Sequence, residues 1–194
     1  VTGVQTCALP IWDFDNLFTL QDILPQYAPD IISDIRRRVK ENGDEIILMS
    51  YNNGVVSAMT EQELDKATRW AVSNPWQSGV QDLFGTYSPI IRPQEMMTTP
   101  GNFTVYRKHG IEAVALYYST TPFDAFRVFS RPLTRAESHN PIQYRHPQTG
   151  EEIVVIPTYH FGDLVEHVSL SNWVAELRAL QSRKELNTDA LIFI

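Results

Sequence analysis

Cysteine is nearly missing from this sequence, since Cys7 is the only one among 194 residues. A lone thiol forms no intrachain disulfide and supplies no cysteine-ligated metal site, so we expect neither. The sequence also lacks an apolar run near the ~20 residues of a membrane-spanning helix. A net charge of −7, with acidic residues flanking the one basic run Arg36–Arg38, argues against a phosphate-binding surface. We expect no nucleic-acid or membrane partner, and a cytoplasmic location.

The first eleven residues, 1–11, resemble the translation of a sequencing adapter more than a natural N-terminus. We therefore expect the genuine chain to begin at Trp12, with its original start missing. At the other end, Asp189–Ile194 has the pattern of an apolar strand with no loop after it. A strand left in that way would expose an unpaired edge. The prediction is one domain over 12–194 that is truncated at both ends.

Helix and strand patterns alternate along this domain. Apolar residues at helical spacing predict a helix over 28–42, and Thr60-Glu-Gln-Glu63 has the pattern of a capping box. The alternation indicates an α/β fold with a mainly parallel sheet covered by helices. Because a full barrel needs ~250 residues, we expect an incomplete (β/α) barrel with an inserted hairpin. The other predicted elements are strands at 45–49, 88–92, 112–118 and 189–194, a hairpin of 143–146 with 151–156, and helices at 61–73, 102–109 and 172–183.

Polar and aromatic side chains follow several of these strands at their carboxyl ends, where α/β barrels carry their chemistry. Asn52 and Asn53 follow the first predicted strand, Tyr118 follows the third, and His160 follows the hairpin. Aromatic rings stack on the C–H faces of sugars, and amides hydrogen-bond to their hydroxyls. The set is therefore typical of a carbohydrate cleft, although any one of these residues alone is also common in an ordinary turn.

Glu95 is the carboxylate among the residues that follow the predicted strands. At the rim of a barrel mouth, it would act as a nucleophile toward the anomeric carbon of a sugar, or as a general acid/base. The alternative is a surface glutamate that forms an ion pair with Arg92, three residues before it. The sequence alone leaves both interpretations open.

Two stretches resemble glycoside hydrolase family 57: GVQDLFGTYSPIIRPQEMM at 79–97, and YRKHGIEAV at 106–114. In that family a helix leads to an "FG…P" segment, a strand carries "W-x-P-E", and the next helix ends in "GF" or "GI". The resemblance extends in order of elements over roughly residues 45–194. It implies that Glu95 is the catalytic nucleophile and that the fold is an incomplete (β/α)7-type barrel. It also implies retaining cleavage or transfer of α-glucan-type linkages, without a metal or other cofactor.

The sequence departs from the family pattern in three ways. Ile90 or Ile91 stands where the family has tryptophan, and Gln94 separates the proline from the glutamate. The family's early "HQP" signature would lie before Trp12 and is missing. The acid/base aspartate is expected just beyond Ile194, and retention requires two carboxyl groups ~5–5.5 Å apart.

Other arrangements in the sequence support competing hypotheses. His160, Asp163 and His167 suggest a divalent-metal site of the polysaccharide-deacetylase or family 38 mannosidase type, although the early His/Asp motif of those enzymes is missing. Asp124 follows the third predicted strand and is either a second carboxylate or a helix cap. Two further sets have ordinary structural interpretations: core packing for Trp70, Trp76 and Trp173, and solvent exposure for His109, His139 and His146.

The leading hypothesis is a piece of a retaining α-glycoside hydrolase or glucanotransferase acting on an oligo- or polysaccharide. Glu95 is its predicted nucleophile, and Asn52, Asn53, Tyr118 and His160 shape the sugar subsite. One alternative is a carbohydrate-binding relative without catalysis, and another is the metal-dependent deacetylase or mannosidase type. The oligomeric state is not predicted.

Overall fold

A computed structural model describes residues 10–117, 133–146, 148–158 and 170–184 of the chain. Its strands pair into one nearly continuous sheet in the order β1-β2-β3-β4-β6-β5. A parallel bridge between Leu48 and Ile91 joins the first two strands to the other four. All neighbours run parallel except the hairpin pair β5 and β6. The strands are β1 (Ile11–Trp12), β2 (Glu45–Ile46), β3 (Ile90–Ile91), β4 (Ala113–Tyr117), β5 (Ile142–Arg145) and β6 (Glu152–Thr158).

Helices connect the parallel strands, as the alternating pattern predicts. A π-helical segment, Asn16–Ile23, precedes the first α-helix, and short 3-10 turns at Val56–Ala58 and Gln94–Met96 follow β2 and β3. The α-helices are α1 (Leu24–Tyr27), α2 (Pro29–Asn42), α3 (Glu61–Val72), α4 (Val80–Phe84), α5 (Pro100–Lys108), α6 (Arg135–Ser138) and α7 (Leu170–Ser182). None of the described helices is long and apolar enough to cross a membrane.

The start of α3 shows how local sequence fixes an element boundary. The Thr60 side chain accepts a hydrogen bond from the Glu63 amide, and the Glu63 carboxylate accepts one from the Thr60 amide at 2.8 Å. These bonds satisfy helix-end amides that would otherwise lack partners. The bond from the Thr60 amide, supported by the Thr60 hydroxyl, lowers the pKa of Glu63. The predicted capping box is confirmed.

The main core lies between one face of the sheet and the helices. Leu48, Ile91, Val114 and Val155 come from four neighbouring strands, and each is no more than 1% exposed. Helix residues pack against them: Ile35, Leu64, Phe103 and Tyr106. Fully burying an aliphatic or aromatic side chain of this size contributes about 1.5–3 kcal/mol. This core fixes the register of the strands, and so the positions of the residues at their carboxyl ends.

The predicted α/β class, the mainly parallel sheet and the hairpin are confirmed. The structure adds elements that the prediction lacks: strand β1, the π-helical segment after it, and the short helices α1, α4 and α6. The strand over 45–49 is regular only at Glu45–Ile46, and Leu48 continues it through the bridge to Ile91. The predicted strand over 189–194 lies outside the described residues. The described strands form an open sheet, which is consistent with part of a barrel.

Candidate functional site

Glu95 lies at the carboxyl end of β3, where the chain leaves the sheet. Pro93 ends the extended segment, and Gln94–Met96 forms a single 3-10 turn. Glu95 itself is exposed, whereas its neighbour Met96 is 5% exposed and packs inward. The turn is closed by bonds from the Met96 amide to Pro93 O at 2.8 Å and from the Met97 amide to Gln94 O at 3.0 Å. It therefore projects one carboxylate from a backbone that is anchored on both sides.

The backbone of this turn is strained. Glu95 and Met96 both have φ of 51°, in the left-handed region that non-glycine residues adopt infrequently. Each such residue costs on the order of 1–3 kcal/mol and persists only when the surroundings enforce it. Pro93 is buried on one side of the turn, and Thr98 is fully buried on the other. Strain of this kind is concentrated in proteins at active sites and ligand clamps, which makes the turn a candidate functional feature.

Gln94 contacts the carboxylate directly. Its amide Nε2 donates to Glu95 Oε1 across 3.3 Å, a long hydrogen bond that orients the acid. Its own Oε1 is buried and has no partner within the described part of the chain. Gln94, which separates the proline from the glutamate of the family pattern, is thus the residue that contacts the predicted nucleophile.

Arg92 does not pair with Glu95. Its guanidinium forms an ion pair with Asp13 and lies 3.4 Å from Met49 Sδ. Arg92 and Met49 each follow a core-facing residue by one position, so their side chains occupy the sheet face away from the helices. The alternative of an Arg92–Glu95 surface pair is therefore wrong, because Arg92 pairs with Asp13 instead.

Asn52 and Asn53 lie at the same edge of the sheet as Glu95. Leu48 and Ile91 are bridged, and Asn52 and Glu95 each follow their bridged residue by four positions. Both asparagines are exposed, and Asn53 has φ of 51°. The two residues just before them, Ser50 and Tyr51, are buried. The structure therefore brings the predicted amides and the predicted carboxylate to neighbouring strand ends.

Tyr118 and His160, the other two predicted subsite residues, lie outside the described residues. The strands before them are adjacent, since Tyr117 of β4 pairs with Thr158 of β6. Asp124, Asp163 and His167 also lie outside the described residues. In the part of the chain that is described, no group of three histidine, cysteine or acidic side chains is arranged to hold a metal ion.

An aromatic cluster that the sequence analysis assigned to core packing lies beside this edge. The Tyr51 ring packs at 75° against Trp70 and is nearly parallel to Trp76, at 14° with centroids 6.1 Å apart. Trp70 and Trp76 meet edge to face at 5.2 Å. Trp76 is 52% exposed, so core packing is wrong for this residue. Its position after the Asn74-Pro75 helix break, on a loop, was the available signal.

The prediction of solvent-facing histidines is also wrong. His139 and His146 are 4% and 8% exposed. The Nδ1 atom of His146 accepts hydrogen bonds from the amides of Gln148 and Thr149, which stabilises the turn of the hairpin. His109 Nε2 lies 3.0 Å from Asp65 Oδ1 and joins α5 to α3. Hydrogen bonding makes the burial of the His146 ring favourable, and the contact with Asp65 does the same for the half-buried ring of His109.

Solved structures with a fold similar to that of this chain include two enzymes. The 4-alpha-glucanotransferase from Thermococcus litoralis matches 88% of the chain with a TM-score of 0.65 and 18% identity. The alpha-amylase AmyC from Thermotoga maritima matches 70% with a TM-score of 0.51 and 12% identity. The chain spans 24% of the length of each. No family model and no curated protein matches the sequence.

At these identities the likeness shows the fold alone. Both neighbours are glycoside hydrolase family 57 enzymes, and the chain therefore has a family-57-like α/β fold. The likeness supports the predicted α/β architecture.

Proposed function

We propose that the protein acts on α-glucan-type oligo- or polysaccharides as a retaining glycoside hydrolase or glucanotransferase, with Glu95 as its nucleophile. The observation that carries this proposal is the position of Glu95, an exposed carboxylate on a strained turn at a strand end of a family-57-like sheet. The two structural neighbours, a glucanotransferase and an amylase, support the choice of substrate class.

In the proposed reaction, a Glu95 carboxylate oxygen attacks the anomeric carbon while the bond to the glycosidic oxygen breaks. The leaving oxygen takes a proton from a second carboxylic acid, and a glycosyl ester of Glu95 remains. Water or a sugar hydroxyl then attacks the same carbon, the ester bond breaks, and the second carboxylate accepts the proton. Water as acceptor gives hydrolysis, and a sugar as acceptor gives transfer.

The chain's own residues have defined parts in this scheme. Gln94 Nε2 donates to Glu95 Oε1 and holds one carboxylate oxygen, which leaves the other free to attack. Asn52 and Asn53 supply amides for sugar hydroxyls at the neighbouring strand end, and Tyr118 and His160 complete the proposed subsite. The second carboxylate is proposed to come from a segment beyond Ile194.

Replacing Glu95 by Gln tests the proposal in the full-length protein, because residues up to Ile194 alone would lack the proposed second carboxylate and should not turn over glycosides. The isosteric amide cannot form the ester, so turnover of a maltooligosaccharide should fall by about three orders of magnitude or more. The matched control is Glu61→Gln, an exposed glutamate on α3, which should retain normal turnover. Near-normal turnover in Glu95→Gln would exclude Glu95 as the nucleophile.

A rescue experiment distinguishes a nucleophile from an acid/base residue. In Glu95→Gly, azide should occupy the space left by the carboxylate. It should attack an activated aryl α-glucoside from the β face of the sugar, opposite to the aryl group. The expected product is a β-glucosyl azide, and the leaving group departs as the aryloxide anion with the electron pair of the broken bond. An α-glucosyl azide would instead assign Glu95 to the acid/base role.

A further inference from the structure

The exposed tryptophan beside the strand edge requires an explanation that packing does not give. Trp76 is 52% exposed on a loop that the rest of the structure holds firmly. The Asn74 side chain accepts from the Trp76 amide at 3.0 Å, the Ser78 amide at 3.2 Å and the Ser78 hydroxyl at 3.1 Å. Asn74 is itself 8% exposed and donates to Trp70 O at 3.0 Å. The ring is therefore presented to solvent by a loop whose conformation is fixed.

A second set of bonds anchors the same loop to α4. The Asp82 carboxylate accepts from the Ser73 hydroxyl at 2.7 Å and from the amides of Asn74 and Gly79 at 3.1 and 3.0 Å. A ligand that binds to a loop ordered in advance does not have to supply the free energy of ordering it. The loop that carries Trp76 is therefore pre-organised for binding.

Further hydrogen-bond donors lie on Trp76 itself and on residues that contact its neighbours Tyr51 and Trp70. Gln21 Oε1 accepts from the Tyr51 hydroxyl at 2.7 Å, but Gln21 Nε2 donates to no group in the described residues. The indole N–H of Trp76 likewise has no acceptor there. Lys66 Nζ lies 4.2 Å from the centroid of the Trp70 ring and is exposed. A ligand on this surface would meet an aromatic face together with amide, indole and ammonium donors.

We infer that Trp76, supported by Tyr51 and Trp70, is a stacking platform for a pyranose ring of an α-glucan, additional to the reacting centre at Glu95. The C–H groups on one face of a pyranose carry partial positive charge and are attracted to the negative face of an aromatic ring. The hydroxyls of the sugar accept hydrogen bonds from Gln21 Nε2 and Lys66 Nζ at the rim of the platform. Tyr51 joins the platform to the strand end that carries Asn52, so one chain of several sugars reaches both. The choice of glucan rests on the proposed function.

Calorimetric titration with maltoheptaose tests this in the Glu95→Gln background, where the sugar is not consumed. Trp76→Ala should raise the dissociation constant about tenfold or more, which corresponds to about 1.4 kcal/mol. Trp76→Phe should lose less, because it keeps a smaller ring. The control is Phe18→Ala, which removes another exposed aromatic ring and should leave the dissociation constant unchanged. Equal binding by Trp76→Ala and its parent, or no binding by the parent, would overturn the inference.

A measurement without substitution at Trp76 covers the case in which Trp76→Ala does not fold. N-bromosuccinimide oxidises exposed indoles, and peptide mass spectrometry locates the product. Maltoheptaose should slow oxidation of Trp76 severalfold, whereas the same mass concentration of sorbitol should not. Equal rates with the two additives would contradict the inference, as would a dimer that dissociates on Trp76→Ala while no sugar binds.

The assignment of Glu95 as nucleophile and that of Trp76 as stacking platform can be contradicted independently of each other. If Glu95→Gln keeps normal turnover while Trp76→Ala weakens maltoheptaose binding, only the assigned nucleophile is wrong. If Glu95→Gln abolishes turnover while Trp76→Ala binds as its parent does, only the stacking platform is wrong. With Glu95 intact, Trp76→Ala should raise KM about tenfold and leave kcat within about twofold, because removing binding shared by ground and transition states has that signature.

Discussion

The indole Nε1 of Trp12 donates to Asp44 Oδ2 across 2.9 Å and ties the first strand to the residue just before β2. Asp44 is 3% exposed, and Arg38 donates to both of its carboxylate oxygens, at 2.7 and 3.1 Å. Three separate parts of the chain therefore meet at one buried carboxylate, beside the sheet edge formed by β1.

Asp44→Asn should lower the melting temperature by several degrees and change its pH dependence. Burial alone would raise the pKa of Asp44, but the hydrogen bonds from Trp12 and Arg38, with the charge of Arg38, lower it below its ordinary value. A carboxylate with a lowered folded-state pKa stabilises the protein above its unfolded pKa of ~3.9 and loses that contribution as pH falls through the folded value. The melting temperature should therefore fall less steeply below pH 4 in Asp44→Asn.

The control for this experiment is Asp34→Asn on the exposed surface of α2. Asp34 pairs with Arg37 at 3.1 Å, but both side chains are more than half exposed. Solvent screening leaves the contribution of such a pair to stability near zero. The pH dependence of the melting temperature in Asp34→Asn should therefore match that of the unmodified protein. Superimposable profiles for Asp44→Asn and the unmodified protein would contradict a role for the Asp44 charge.

Gly79→Ala should destabilise the protein by about 1–3 kcal/mol. A methyl group at Gly79 would lie 2.3 Å from Val72 O and 2.7 Å from Ser73 Cα, so backbone would have to move. Gly101→Ala is the matched control, because its nearest neighbour would be Thr99 Oγ1 at 3.8 Å and α5 favours alanine. Urea unfolding should show Gly101→Ala to be neutral or stabilising by up to about 0.5 kcal/mol. Equal stabilities for the two variants would refute the close approach of α3 and α4.

Phe103→Ala should lower the free energy of unfolding by about 3–5 kcal/mol. Phe103 is 1% exposed and packs edge to face on Tyr144 at 5.2 Å, which connects α5 to the hairpin. Phe18→Ala removes the same ring from a site that is 53% exposed and should change the free energy by less than about 0.5 kcal/mol. Chemical denaturation of both variants measures the difference, and a loss below 1 kcal/mol for Phe103→Ala would argue against this core.

Glu95→Gly should be more stable than Glu95→Gln by about 0.5–1 kcal/mol, while neither variant turns over substrate. Glycine adopts φ of 51° without a steric penalty, whereas glutamine retains the strain of the native turn. The same change on a regular helix has the opposite sign, and Gln62→Gly on α3 should destabilise by about 1 kcal/mol. Denaturation curves of the three variants decide this, and a less stable Glu95→Gly would show that the turn is unstrained.

Much of the architecture was predictable because it depends on local patterns. The helices at Pro29–Asn42 and Glu61–Val72 agree with the prediction to within about one residue, since proline, a capping box and a glycine mark their ends. The strands and the hairpin were predicted from apolar runs and a turn sequence. Strand β1 was missed because the chain was expected to begin at Trp12, which excluded Ile11. A strand of two residues is also too short for a periodic pattern, and its pairing partner Glu45 is distant in the sequence.

The candidate site was predictable in position but not in its contacts. The sequence shows that three residues follow predicted strands: Glu95, Asn52 and Asn53. Because parallel strands have their carboxyl ends at the same edge of a sheet, such residues lie at that edge. The partner of Arg92 and the exposure of Trp76 could not be read in this way. Both depend on which side chains the sheet and α3 bring together from distant positions, as the pairing of Arg92 with Asp13 shows.

The sequence by itself determined the α/β class, the boundaries of α2 and α3 and the set of residues at the strand ends, because these follow from short-range periodicity and turn chemistry. Tertiary structure alone decided that Arg92 pairs with Asp13, that Glu95 occupies a left-handed turn, and that Tyr51, Trp70 and Trp76 form one cluster. The physical reason is that burial, ion pairing and ring stacking are set by the packing of segments far apart in the chain, which no local pattern encodes.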